Sequence, residues 1–107
     1  MTSVLNIALG GMHHNQRAVE VSARNVANVN TDGYRALRYN PRTDSTTPRY
    51  EPRDDAGAPD PEALPPSDVD LATEFVSIKQ SEIGYRANAA VILVADRMAG
   101  DLLDMLG

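Results

Sequence analysis

Apolar residues recur every seven positions near each end of the chain. Toward the carboxyl end the repeating residues are Leu71, Ile78, Tyr85, Ile92, Ala99 and Leu106. This spacing places them along one face of an α-helix, as contact with a partner helix requires. Because no proline interrupts residues 69–106, the pattern predicts one long helix of roughly 35 residues and about 50 Å.

The neighbouring row of this helix is less uniform. It consists of Phe75, Glu82, Ala89, Asp96 and Leu103. Between residues 87 and 95 the helix is apolar on nearly every face, with Asn88 as the exception. A helix that is apolar all round is usually buried all round. We therefore expect this segment to need more neighbours than one partner helix.

The amino-terminal repeat is thinner. Its main row is Leu5, Met12, Val19 and Val26, and its companion row is Ala8, Asn15, Ser22 and Val29. A helix with so narrow an apolar stripe gains most of its stability from packing against neighbours. The pair Gly10–Gly11 lowers helix propensity by about 2 kcal/mol relative to two alanines, which a close helix-to-helix approach would offset.

A run of asparagines and a turn follow the first helix. Residues 25–34 read NVANVNTDGY. Asparagine tolerates left-handed backbone geometry at a helix end, and Asp-Gly is a strong turn signal. Turn chemistry alone explains a helix stop here, but three asparagines, a glycine and an aromatic residue are more than a stop needs. If this is a turn, Gly33 is expected to have a positive φ.

Proline and charge dominate the middle of the chain. All seven prolines lie between residues 35 and 67, where large apolar residues are few. Such a composition cannot bury enough apolar surface to offset the entropy of ordering. We predict a linker with at most short extended pieces around residues 36–39. Pro59, Pro61, Pro65 and Pro66 favour extended backbone before the second helix.

A capping-box pattern marks the start of the second helix. Ser67 is followed three residues later by Asp70, which matches the pattern in which a serine caps the helix. Asp68 and Glu74 would add favourable negative charge near its amino end.

Composition excludes several classes of function. The net charge is −5 and cysteine is absent, which argues against a nucleic-acid partner and rules out thiolate metal sites. The arginines between residues 35 and 53 form only a loose cluster interleaved with acids. His13 and His14 point about 100° apart on a helix, so we interpret them as exposed polar side chains rather than a metal-binding pair.

No enzyme is expected either. No nucleophile is paired with a base, and no glycine loop could cradle a phosphate. We therefore predict no catalytic residue, no cofactor and no metal. The first twelve residues carry no lysine or arginine, and the longest apolar run, residues 89–95, is far shorter than a membrane span. We expect neither a cleaved signal peptide nor a membrane-spanning helix.

Both ends of the chain resemble those of the bacterial flagellar rod and hook axial proteins. The amino-terminal resemblance rests on residues 25–35, NVANVNTDGYR. The carboxy-terminal one rests on residues 69–76, VDLATEFV, and 84–88, GYRAN, with residues 95–98, ADRM, after them. The chain most resembles the small proximal rod proteins. Relatives usually carry a β-rich region between the helices, which is reduced here to the proline-rich connection.

The resemblance implies an all-α fold in which two long terminal helices pair as an antiparallel coiled-coil hairpin, joined by a proline-rich, largely irregular connection. The divisions would be an axial helix at residues 1–30, a turn motif and linker at 31–66, and a second axial helix at 67–107. Residues expected to take part in assembly are Leu5, Met12, Val19, Val26, Asn28, Gly33, Tyr34, Leu71, Phe75, Ile78, Tyr85, Asn88 and Ile92.

The same resemblance implies a structural subunit of the flagellar basal-body rod. Its partners would be other rod and hook axial proteins and copies of itself. The flagellar type III export apparatus would deliver it to the periplasm-spanning rod without cleaving a signal. A second hypothesis is a small cytoplasmic helical adaptor or flagellar export chaperone, because the same apolar stripes could bind another protein's helix in a groove.

Overall fold

The computed structural model describes residues 2–49 and 64–107. The elements in chain order are helix α1 (Thr2–Ala27), strand β1 (Leu37–Asn40), strand β2 (Ser45–Pro48) and helix α2 (Leu71–Leu106). The molecule is elongated, with extents of 77 × 22 × 13 Å. The extended backbone predicted at Pro59 and Pro61, and the last arginine of the loose cluster, Arg53, lie outside the described residues.

The two helices lie side by side and antiparallel. Gly11 of α1 faces Asn88 of α2. Further along α1, Ser22 Oγ donates a hydrogen bond to Ser77 Oγ over 3.2 Å. Residue numbers therefore increase along α1 in the direction in which they decrease along α2, and each helix covers one side of the other.

The fold is mostly helical, as predicted, but the all-α class is too narrow. Strands β1 and β2 form an antiparallel two-stranded sheet with Leu37 opposite Pro48 and Asn40 opposite Ser45. The extended piece expected around residues 36–39 falls on β1, whereas β2 was not predicted. A two-stranded sheet is marginal by itself and depends on packing. Its support comes from α1, which the local composition of the connection does not reveal.

The β-hairpin turns through local side-chain chemistry. Asn40 Oδ1 accepts a hydrogen bond from the backbone N–H of Arg42 over 3.0 Å, a turn that asparagine favours. Asp44 closes the loop with a φ of +48°, a left-handed conformation in which aspartate is enriched. Along β1, Leu37 is half-buried and Arg38 is exposed, so alternate residues face α1 and solvent.

The buried row of α2 differs from the predicted companion row. The buried residues are Glu74, Ser81 and Ala95, which follow the main row by three positions rather than four. Phe75, in the companion row, is 57% exposed, and its part in assembly stays a prediction. The main row flanks the contact, with Leu71 itself exposed. Small and polar side chains occupy the centre because bulky ones would hold the helices apart.

Close approach involves only one of the two adjacent glycines in α1. A Cβ added to Gly11 would lie 2.5 Å from Nδ2 of Asn88, whereas one added to Gly10 would meet nothing within 4 Å. The arrangement is mirrored on α2, where a Cβ at Gly84 would lie 2.9 Å from Nδ2 of Asn15. Each asparagine thus occupies the space that a glycine leaves on the opposite helix, and the two pairs set the helix separation.

Asp70, rather than Ser67, caps α2. Its carboxylate accepts hydrogen bonds from the backbone N–H of Ala72 over 3.1 Å and from Thr73 Oγ1 over 3.0 Å. Ser67 Oγ accepts from the backbone N–H of Val69 over 3.3 Å, which shapes the segment before the helix. The pattern located the helix start but named the wrong capping residue, because helical backbone begins only at residue 71.

The glycine contacts generate a matched pair of variants. Gly11→Ala is expected to lower the free energy of unfolding by up to about 2 kcal/mol, because over-packing the contact with Asn88 costs about 1–3 kcal/mol and the gain in helix propensity returns only about 1 kcal/mol. Gly10→Ala should raise it by about 1 kcal/mol through helix propensity alone. Urea unfolding followed by circular dichroism measures both. Equal effects of the two substitutions would contradict the assigned contact.

Candidate functional site

Asn25 joins α1 to the β-hairpin at one end of the helix pair. Its side chain is fully buried. Nδ2 donates to the carbonyl of Leu37 over 2.9 Å, and Oδ1 accepts from the backbone N–H of the same residue over 2.9 Å. Oδ1 also accepts from Tyr34 Oη over 3.0 Å. The amide satisfies both peptide groups of one strand residue, because it carries a donor and an acceptor as a peptide does.

The asparagine-rich turn closes the end of α1. Asn28 Nδ2 donates to the carbonyl of Arg24 over 2.9 Å, and its Oδ1 accepts from Thr31 Oγ1 over 3.1 Å. Gly33 has a φ of +79°, as expected for the turn. Its N–H donates to the carbonyl of Pro65. The motif therefore ends the helix and directs the chain toward the segment that enters α2.

The segment before α2 is held against this turn. The backbone N–H of Asp68 donates to the carbonyl of Tyr34 over 3.3 Å. The carboxylate of Asp68 accepts a hydrogen bond from the backbone N–H of Ala36. Burial raises the pKa of the Tyr34 phenol, an effect that Arg24 opposes and that Glu74 and Asp68 increase. Asp68 thus connects the two halves of the chain rather than acting only on the helix dipole.

A buried ion pair connects the end of the β-hairpin to the first turn of α2. The carboxylate of Glu74 is fully buried, and Arg49 Nη2 lies 2.5 Å from its Oε1. The backbone N–H of Arg49 also donates to the carbonyl of Ala36 over 2.8 Å. Removing one partner of a buried pair typically costs about 3–5 kcal/mol because the other charge is left uncompensated. The sequence analysis missed this pair because its members are far apart in the chain.

A second polar cluster ties the loop end of the β-hairpin to the middle of α1. Tyr39 Oη donates to Asp44 Oδ1 over 2.7 Å and lies 2.6 Å from His14 Nδ1. The guanidinium of Arg17 lies 3.8 Å from Asp44 and 6.0 Å from the centre of the Tyr39 ring. The expectation of an exposed side chain holds for His13 but was wrong for His14, which is half-buried.

Within residues 2–49 and 64–107, no group of three or more histidine, cysteine, aspartate or glutamate side chains is placed to hold a metal ion. The hydrogen bonds described above serve to attach the β-hairpin and the turn to the helices.

The other end of the helix pair exposes large apolar side chains. They are Val4, Ile7, Leu9, Val91, Leu93, Val94, Met98, Leu102, Leu103, Met105 and Leu106. Met105 and Leu106 are 82% and 86% exposed. Because α1 has fewer residues before Gly11 than α2 has after Asn88, the end of α2 extends beyond α1. Neither helix in the described parts of the chain has the length and hydropathy of a membrane span.

The residues predicted for assembly fall into distinct places. Those at the polar end are Val26, Asn28, Gly33, Tyr34 and Leu71. Those half-buried along the helix contact are Leu5, Met12, Val19, Ile78, Tyr85, Asn88 and Ile92. Of the latter, Val19, Ile78 and Tyr85 line an open groove between the helices. Asn88 donates to the carbonyl of Gly84 over 3.0 Å. Their part in assembly stays a prediction.

Two residues that are important in the structure, Asn25 and Met98, were not identified from the sequence. Asn25 was treated only as part of a helix stop, and it lies outside both predicted rows of α1. Met98 lies outside both predicted rows. Met98 is exposed because α1 covers a different face of α2, and no local sequence pattern indicates which face α1 covers.

Asn25→Ala is expected to lower the free energy of unfolding by about 2–4 kcal/mol, because both peptide groups of Leu37 and the Tyr34 hydroxyl lose a buried partner. Asn30→Ala is the control, since Asn30 is exposed and surface substitutions usually change stability by less than about 0.5 kcal/mol. Chemical denaturation and hydrogen exchange at the Leu37 amide measure the effect. Unchanged exchange at Leu37 in Asn25→Ala would refute this attachment.

The Tyr39 cluster should hold the β-hairpin only within a pH window. Its hydrogen bond from Tyr39 lowers the pKa of Asp44, so this contribution is complete above pH about 4 and is lost as pH falls through the lowered pKa. Partial burial, and then the bond to Asp44, raise the pKa of Tyr39. That contribution is complete below pH about 10 and is lost as pH rises through the raised pKa.

NMR shifts of the β2 amides should therefore change at both pH extremes. Tyr39→Phe should remove the alkaline change and move the acid change to higher pH, because the largest cause that lowers the pKa of Asp44 is lost while Arg17 still lowers it. Identical titration curves for the two proteins would show that Tyr39 and Asp44 do not hold the loop.

One family model matches the amino-terminal part of the chain. The family model described as flagella basal body rod protein matches residues 5–35, which span most of α1, the asparagine-rich turn and Gly33. No curated protein matches the chain. The match confirms the resemblance that was recognised in residues 25–35. The likeness to flagellar basal-body rod proteins therefore concerns residues 5–35.

Proposed function

We infer that this chain is a structural, non-enzymatic subunit of the flagellar basal-body rod. The family match to residues 5–35 supports a rod protein in general, and rod proteins serve as structural components. The finer part of the proposal is the mode of assembly. The helix pair would pack in coiled-coil fashion against copies of itself and against other axial proteins.

The observation that carries this proposal is the exposed apolar surface at the end of the helix pair. Val94, Met98 and Leu102 are each more than half exposed and follow one another at four-residue spacing along α2. This spacing places them on one helix face, as contact with a neighbouring helix requires. Burying a side chain of this type contributes about 1.5–3 kcal/mol. Several such contacts offset the cost of association, about 4–15 kcal/mol.

The polar end gives the matched motif a physical role in the same proposal. Asn25 attaches the β-hairpin, and Gly33 directs the chain back toward α2. This end of the molecule is held by internal hydrogen bonds, while the opposite end offers apolar surface to partners. We propose delivery by the flagellar type III export apparatus without signal cleavage, to a rod that spans the periplasm.

The adaptor or chaperone hypothesis has one observation in its favour. The groove lined by Val19, Ile78 and Tyr85 is open, and an apolar groove between helices can bind an amphipathic helix. Location separates the two functions, because a chaperone stays in the cytoplasm whereas a rod subunit is recovered with isolated basal bodies. Cytoplasmic retention of the tagged chain in motile cells would favour the adaptor.

Met98→Glu tests the assembly surface. The substitution should leave the fold intact, because Met98 is 54% exposed and such positions change stability by less than about 0.5 kcal/mol. It should prevent recovery of the chain with basal bodies and abolish motility, since a charge would be buried in the interface. Immunoblotting of purified basal bodies and swimming assays measure the outcome.

Gln80→Glu is the matched control, because it places the same residue at an exposed position on the same helix outside the apolar surface. This variant should assemble normally. Normal assembly and motility of Met98→Glu would contradict the proposal, as would loss of both in the control.

A further inference from the structure

We propose that copies of this chain associate head to tail through opposite charges. The exposed arginines of the β-hairpin in one copy, Arg38 and Arg42, would bind the exposed aspartates near the end of α2 in the next copy, Asp101 and Asp104. This inference rests on the proposed function as a self-assembling subunit, and it identifies which surfaces of two copies meet.

The β-hairpin presents two exposed arginines, Arg38 and Arg42. Residues 35–49 contain four arginines and one acidic residue, Asp44. Asp44 already bonds Tyr39, and Arg49 pairs with Glu74. Arg38 and Arg42 are both exposed, and in the parts of the chain that are described neither has a salt-bridge partner. A planar guanidinium is suited to bidentate binding of a carboxylate.

The end of α2 presents the opposite charge. Residues 98–107 contain two aspartates and no lysine or arginine, and the last turn of α2 has no basic residue. Negative side chains near a helix carboxyl terminus are unfavourable, because the partial charge there is also negative. A cation from outside the chain would therefore be stabilised at this place. The exposed Leu102 and Met105 beside the aspartates add apolar contact area.

The two surfaces cannot meet within one copy. The loop end of the β-hairpin contacts α1 at His14, close to Gly11, whose partner on α2 is Asn88. Asp101 lies much further along α2, so about 24 Å of helix axis separates it from that contact. A contact between two different surfaces is heterologous and repeats from copy to copy. It generates a ring or a helical array, as a tubular rod requires.

The experiment uses the full-length chain and two charge-reversal variants. One carries Arg38→Glu with Arg42→Glu, and the other carries Asp101→Lys with Asp104→Lys. All four positions are exposed, and lysine near a helix carboxyl terminus is favourable, so both variants should keep their helical circular dichroism. Sedimentation velocity in low salt measures self-association of each protein and of their equimolar mixture.

The wild-type chain should self-associate, and each variant alone should associate about tenfold more weakly, since like charges then face each other. The mixture should recover wild-type affinity to within about threefold, because each surface then finds an opposite charge on the other variant. High salt should reduce the differences among all these samples. The double reversal of Lys79 and Arg86 to glutamate is the control, because it changes the net charge as the arginine variant does. Both residues pair with Glu82, so its helical circular dichroism is checked first, and it should retain association.

Three results would overturn the inference: a wild-type chain that does not self-associate, a mixture that does not recover, or an equal loss in the control. The proposed function is judged separately. If the charge variants still join basal bodies whereas Met98→Glu does not, the rod assignment stands and this head-to-tail contact is wrong.

Discussion

Small and polar side chains form the contact between α1 and α2, and the rest of the molecule follows from this constraint. Gly11 and Gly84 each leave space for an asparagine side chain of the opposite helix, and Ser22 forms a hydrogen bond with Ser77. Such a contact brings the helices close but buries little apolar surface. Many large apolar side chains, such as Met98 and Leu102, therefore lie outside it and remain exposed.

The stability of the isolated chain consequently depends on polar interactions at one end. Asn25 and Glu74 are the largest fully buried side chains, and each is matched by a partner from the β-hairpin. Buried polar groups contribute little net energy when paired and cost much when unpaired. The buried contacts of Asn25 and Glu74 determine the orientation of the β-hairpin on the helices more than they stabilise the fold. Polar contacts thus dominate the end that carries the β-hairpin, and exposed apolar side chains dominate the other.

Local patterns predicted the parts of the structure that depend on local chemistry. The long uninterrupted repeat indicated α2, and Asp-Gly indicated the turn at which Gly33 has a positive φ. The asparagine-rich motif led to the family that the match to residues 5–35 supports. Predictions failed where the answer lay in distant partners. Strand β2 was missed because it is ordered by pairing with β1, which packs against α1. The capping residue of α2 was misplaced although its partners are local, because helical backbone begins only at residue 71.

The sequence by itself determined two helices, a proline-rich connection and a resemblance to rod proteins, since periodicity and turn chemistry act over a few residues. Only the tertiary structure decided which row of α2 is buried. Heptad spacing is equally compatible with Glu74 and with Phe75 as neighbours of the main row, and the choice depends on how closely α1 approaches. The glycine and asparagine pairs allow that approach, so the polar row lies inside and Phe75 remains in solvent.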